Sequence, residues 1–210
     1  MDIITTVFYI VILLFSVIIH ELAHGYTADY LGDPTPRMQG RLTLNPIPHL
    51  DMFGSIILPL LLIISGVGFV VGWAKPVQYN PFNITKNRRW AAALIAIAGP
   101  LSNIMLALIF GLVLRFAGVG LPVAATTVFS IIVLLNIVLA VFNLIPVPPL
   151  DGHHILFSFL SDTGVGGQVK AFMRRYSLIL VLAVIFFVWQ LLFPAVLWLF
   201  ALITGSPLIF

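Results

Sequence analysis

Residues Ile3 to Ile19 carry no charge, and the run leads straight into His20-Glu21-Leu22-Ala23-His24. An apolar stretch long enough to enter a bilayer, ending in ionisable groups, constrains the fold twice. Backbone polar groups in hydrocarbon must be satisfied within their own segment, which selects a helix. Ionisable groups at membrane depth are expensive enough to mark a functional site. On that helix His20 and His24 are four residues apart and project from one face, a spacing that suits two ligands of one metal ion. Glu21 is the chain's single glutamate. It follows the first ligand directly, within reach of a proton on a water held by that ion.

The rest of the chain agrees with a membrane setting. It is 61% hydrophobic and 8% charged, where a soluble domain carries about 25% charged residues. The absence of cysteine rules out disulfides and a thiolate zinc cage, so a metal ion must be held by His and carboxylate, as in catalytic sites. The N-terminal run has no basic flank and no small-residue cleavage site, and is read as a retained first membrane helix, not a signal peptide. No polar block is long enough for an appended PDZ-like or nucleotide-binding module, and no nucleic-acid motif occurs. Residues 1–210 are expected to form a single membrane-embedded domain, with a core of about 1–160 and a C-terminal helical segment, 170–210.

The fold class expected is an α-helical multi-pass membrane protein. It has about four to five transmembrane helices, a re-entrant segment and short β-strands near the cytoplasmic face. Segment one is Ile3 to Tyr30, ended by Gly32-Asp33-Pro34. Arg41 to Leu44 is predicted as a short strand and Trp73 to Tyr79 as extended chain. Segment two, Gly54 to Val71, is interrupted by proline and glycine. Trp90 to Phe116 and about Val123 to Leu144 are the third and fourth segments. A short helix is placed at His153 to Leu160 and a basic amphipathic stretch at Lys170 to Arg175. The last segment, Tyr176 to about Ala201, contains Pro194 and reads either as one kinked span or as a span plus an interfacial helix.

Two histidines leave a catalytic zinc one protein ligand short. Asp151 is the best candidate, since it directly follows a membrane segment between prolines and Gly152; the competing reading is an ordinary helix N-cap. His49 with Asp51 is the rival pair. His153 and His154 are candidates to orient or pack around the site. Asp151 and His20 can share an ion only at equal depth, so segment two must turn back instead of crossing. That topology gathers all ten Lys and Arg residues except Arg115 on one side. By the positive-inside rule that side is cytoplasmic, with the N-terminus extracytoplasmic, in a cell (inner or plasma) membrane.

Three motifs then coincide: His20-Glu21-Leu-Ala-His24, Ala98-Gly99-Pro100-Leu-Ser-Asn103, and Asn143-Leu-Ile-Pro146-Val-Pro-Pro-Leu150-Asp151-Gly152. In this order they resemble the site-2 protease family of intramembrane zinc metalloproteases. Gly40 to Asp51 and Gly72 to Pro76 are similar to its compact prokaryotic branch, without PDZ or cystathionine-synthase-like domains. The resemblance implies one zinc ion on His20, His24 and Asp151, with Glu21 activating water. It also implies a substrate-binding or oxyanion role for Asn143, against which a capping or helix-packing role stands open. Gly99-Pro100 would let helices approach closely near the site. The Asp-Gly pair is followed here by His153-His154, not by the commoner Gly-Arg type.

The function expected is a zinc-dependent intramembrane endopeptidase that cleaves transmembrane segments of membrane proteins. Its partners are a transmembrane substrate helix and the lipid bilayer. A membrane metal transporter and an inactive helix-binding scaffold are the competing readings. The substrate and the oligomeric state are not written in the sequence.

Overall fold

The computed structural model describes residues 3–65 and 74–207. Its first element is α1 (Ile3–Tyr30), uninterrupted by proline. The chain leaves it through Gly32, whose φ of +112° suits only glycine. A short α2 (Thr35–Met38) follows. After a 3-10 turn at Ile47–His49 comes a wide-turned helix, Met52–Ile57, that runs into α3 (Leu58–Ser65). The long helices α4 (Ala91–Ala117) and α5 (Val123–Asn143) pair over most of their length and pack against α1. Beyond the proline-rich turn lie α6 (Gly152–Phe159) and the amphipathic α7 (Gly164–Arg175). Then α8 (Ser177–Ala183), a π-helical stretch Val184–Val188 and α9 (Trp189–Thr204) follow without a gap.

Among the described residues four helices are long and apolar enough to cross a membrane: Val7–Tyr30, Ala91–Ala117, Val123–Asn143 and Ser177–Thr204. The last resolves the alternative left open at Pro194. It is one helix of 28 residues, and its irregularity is the π-helical stretch, several residues before the proline. Side chains of α4, α5 and α9 form the main apolar cluster, with Ala107, Val133, Ile137, Val196 and Phe200 buried. Most large apolar side chains elsewhere on these helices face outward, as lipid-facing surfaces do.

The strand expectation fails among the described residues, and the reason is local. At Arg41–Leu44 side chains take the bonds a ladder would use. Asn45 N donates to Thr43 Oγ1 at 3.1 Å, and His49 Nε2 meets the Thr43 carbonyl at 2.9 Å. The Arg41 guanidinium donates to Pro48 O. Such side-chain bonds favour turns over sheet. The 74–80 stretch is likewise not a strand: Lys75 N donates to His49 O at 2.8 Å and Val77 N to Glu21 Oε2 at 2.7 Å. The return of segment two falls on residues 66–73, outside the described residues. On either side of it, however, Leu31 O accepts from both Thr85 N and Lys86 N at 3.0 Å. These bonds join the end of α1 to the chain just ahead of α4.

Candidate metal centre

Two parts of the chain, α1 and the turn that precedes α6, deliver three ligand atoms to one point. The ring atoms His20 Nε2 and His24 Nε2 lie 3.0 Å apart, and Asp151 Oδ2 is 3.0 Å from the first and 3.4 Å from the second. A tetrahedral zinc with ligand bonds near 2.0–2.1 Å separates its ligand atoms by about 3.3 Å, so the triangle has the right size. Both histidines are buried. Among the described residues this is the group of His and acidic side chains that could hold a metal ion.

The chemistry of the donor set is as telling as its size. His20 Nδ1 is 2.6 Å from Asn103 Oδ1, and His24 Nδ1 is 2.6 Å from the Ile95 carbonyl. Both partners are acceptors, so each ring carries its proton on Nδ1 and turns a lone pair on Nε2 toward the centre. Three acceptors then converge with no proton between them, an arrangement that a cation relieves. Asp151 is the carboxylate of the set, its Oδ2 turned toward both imidazoles.

Close packing makes the convergence possible. On α4, Ile95, Gly99 and Asn103 are spaced by four and form one stripe opposite the Ser16-His20-His24 stripe of α1. A Cβ built on Gly99 would lie 2.6 Å from His20 Cε1 and closer still to the His24 ring. Gly152 packs equally tightly, its would-be Cβ 2.5 Å from Ile145 O, which lets α6 start immediately after Asp151. Asp151 occupies the N-cap position, but its side chain makes no capping bond. That side chain turns instead toward His20 and His24.

A cleft of about 160 Å³ opens beside the ligands. Its lining includes Glu21, His24 and Asp151 together with Pro76, Val77 and Tyr79. Glu21 is held there by the bond from Val77 N. His154 also faces the cleft. Burial, with the neighbouring His153, lowers its pKa to about 4, so it is neutral near pH 7.

The remaining candidates lie elsewhere. Asn143 Nδ2 donates to Leu139 O of its own helix at 3.0 Å, and Asn143 is not among the cleft-lining residues. Asp51 caps the following helix, accepting from Gly54 N at 2.7 Å. His49 is fully buried against Thr43. His153 bonds back to Leu150 O. Two residues escaped the sequence reading: Asn136 and Ser16, both buried and linked to Asn103. Only Asn136 carried a signal, since an asparagine in the middle of an apolar segment is costly, and that signal marks the residue without revealing its role.

A membrane-helix bundle that buries a His, His, Asp acceptor triangle beside a glutamate defines a membrane-embedded metalloprotein. The chain belongs to Peptidase family M50, the site-2 protease family, whose model matches residues 8–188. It is 47% identical over 154 residues to "Putative zinc metalloprotease YwhC" of Bacillus subtilis (strain 168), covering 70% of this chain and 66% of that protein. It is 30% identical over 173 residues to "Putative zinc metalloprotease Rip2" of Mycolicibacterium smegmatis, covering 81% and 64%. The Mycobacterium tuberculosis (strain H37Rv) protein of the same name matches at 30% over 192 residues, covering 90% and 71%. The chain therefore spans roughly two thirds of the length of these relatives. No solved structure matches it significantly.

Proposed function

We propose that this protein is a zinc-dependent intramembrane endopeptidase acting on transmembrane segments of membrane proteins. The observation that carries the reading is the triangle of unprotonated ligand atoms on His20, His24 and Asp151, with the Glu21 carboxylate in the same cleft. A zinc ion held by His20, His24 and Asp151 would supply Lewis acidity toward a water and the scissile carbonyl. The protein's own residues do the rest. Asn103 and the Ile95 carbonyl hold the two imidazoles in the ligating tautomer. Val77 N orients the Glu21 carboxylate. That carboxylate accepts the proton of the attacking water and returns it to the leaving amine nitrogen. With its amide on Leu139 O, Asn143 would have to leave its own helix to meet an oxyanion. The catalytic role therefore rests on Glu21.

The topology proposed keeps the segment between α1 and α4 on one side, re-entrant and cytoplasmic. Supporting it are the Leu31 to Thr85 and Lys86 bonds and the concentration of nine of the ten basic residues on that side. The N-terminus then faces outward, and the zinc site lies toward the cytoplasmic leaflet of the cell membrane. Residues 1–210 act as one membrane-embedded unit. A substrate helix, unwound at the cleft, would run alongside residues 74–80, whose Pro76, Val77 and Tyr79 help line it. A transport site has no need of Glu21 beside its ligands, and a scaffold has no need of an intact triangle. The test is quantitative membrane proteomics of wild type against Glu21→Gln. Substrate fragments should disappear in the variant; an unchanged fragment pattern overturns the activity.

A further inference from the structure

The two imidazoles are held in the ligating tautomer by partners of different kinds. His24 is held by a backbone carbonyl, Ile95 O, which can only accept. His20 is held by a side-chain amide, Asn103, which can present either oxygen or nitrogen. Were that amide reversed, its NH₂ would face His20 Nδ1, the ring proton would move to Nε2, and the lone pair needed by a metal would be lost. Something must fix the polarity of Asn103.

The structure assigns that role to Asn136, as a positioning residue that acts through Asn103 on His20. Its Oδ1 accepts from Asn103 Nδ2 at 2.8 Å. Its own Nδ2 donates to the Ile132 carbonyl at 2.8 Å and to Ser16 Oγ at 2.9 Å. A second backbone carbonyl, Ser16 O, accepts more weakly from Asn103 Nδ2 at 3.4 Å. Because Ile132 O can only accept, it fixes Asn136. Asn136 then fixes Asn103, and Asn103 fixes His20. Two amides have four combined orientations, and this is the one that satisfies every atom. Asn103 and Asn136 are fully buried and Ser16 is 4% exposed, so water does not stand in for a missing partner. The relay joins α5 to a metal ligand on α1 through α4, which makes α5 part of the site well before its chain reaches Asp151.

This inference rests on His20 being a zinc ligand, and the test separates the two. Zinc affinity is measured by chelator competition on the purified full-length protein. Asn136→Leu should raise the Kd about tenfold or more, the range typical of groups that orient a metal-bound histidine. In an Asn103→Asp background, where the partner of His20 can only accept, the same substitution should change the Kd by no more than about twofold. Equal weakening in both backgrounds, or none in either, overturns the proposal. Should Asn103→Asp fail to fold, ¹⁵N NMR of the histidine rings in metal-free protein at mildly alkaline pH decides. Wild-type His20 should be the Nδ1–H form and the Asn136→Leu variant a mixture; a variant that keeps the wild-type form overturns the proposal. A wild type that binds no zinc overturns the zinc reading itself, and the tautomer result still decides the role of Asn136.

Discussion

Asp33 and Asp151 each follow a membrane helix, α1 and α5, but they meet opposite kinds of partner. Asp33 is fully buried and collects donors. Thr35 N and Oγ1 bind one oxygen at 3.1 and 2.6 Å, Asn83 Nδ2 joins them at 2.9 Å, and Asn80 N binds the other at 2.6 Å. Asp151 instead meets two imidazole nitrogens whose rings already give their protons to Asn103 and Ile95. The first carboxylate is a completed knot that ties residues 80–83 to the end of α1. The second belongs to a set of acceptors that only a cation completes. What sets the two carboxylates apart is the supply of donors.

Substitutions sharpen this contrast, beginning with the largest effect. Glu21→Gln should lower peptide hydrolysis by about 10²–10⁴-fold, the usual worth of a general base, while zinc content stays at the wild-type level. Full activity in that variant would remove Glu21 from the mechanism. Gly99→Ala should reduce zinc binding and activity together, because the added methyl meets both imidazoles. Zinc titration of the folded protein reads this out, and undiminished affinity would mean that α4 can withdraw.

Asp33→Ala acts on the other side of the comparison. Loss of its charge-assisted bonds should reduce stability by about 3 kcal/mol, measured by thermal unfolding in detergent, with zinc affinity of the folded fraction retained. The pH dependence has a definite sign. Burial alone would raise the Asp33 pKa, but bonds from Thr35, Asn83 and Asn80 lower it below the ordinary carboxylate value. Its stabilisation is therefore complete above the unfolded-state pKa of about 3.9 and is lost as pH falls through the lower folded-state value. Wild type and Asp33→Asn should differ in stability at neutral pH and converge in acid. Asn143→Ala should be the mildest, a loss of activity below tenfold; a loss as deep as that of Glu21→Gln would show that its amide leaves Leu139 O to meet substrate.

Much of the site is local in sequence, and that part was readable. The spacing of His20, Glu21 and His24 needs only one helix, and Asp151 is marked by the prolines and glycine around it. The long spans were legible because their apolar runs exceed a bilayer's thickness. Asn136 and Ser16 were not, because their role depends on α1, α4 and α5 presenting matching stripes, a tertiary fact. Arg41–Leu44 misled because its alternation favours a strand, whereas Thr43, Arg41 and His49 bond side chain to backbone and close a turn. Asp33 resembled a simple helix stop; its clamp on Asn80 and Asn83, about fifty residues away, lies beyond any local window.

Zinc stoichiometry and affinity in three purified proteins test the central claim most directly: wild type, Asp151→Ala and Asp33→Ala. One zinc per chain is expected in wild type and in folded Asp33→Ala. Affinity should fall by more than about 100-fold in Asp151→Ala, beyond the effect of removing an outer partner. Wild-type zinc affinity in Asp151→Ala would contradict the account, because the acceptor triangle would then not be what holds the ion.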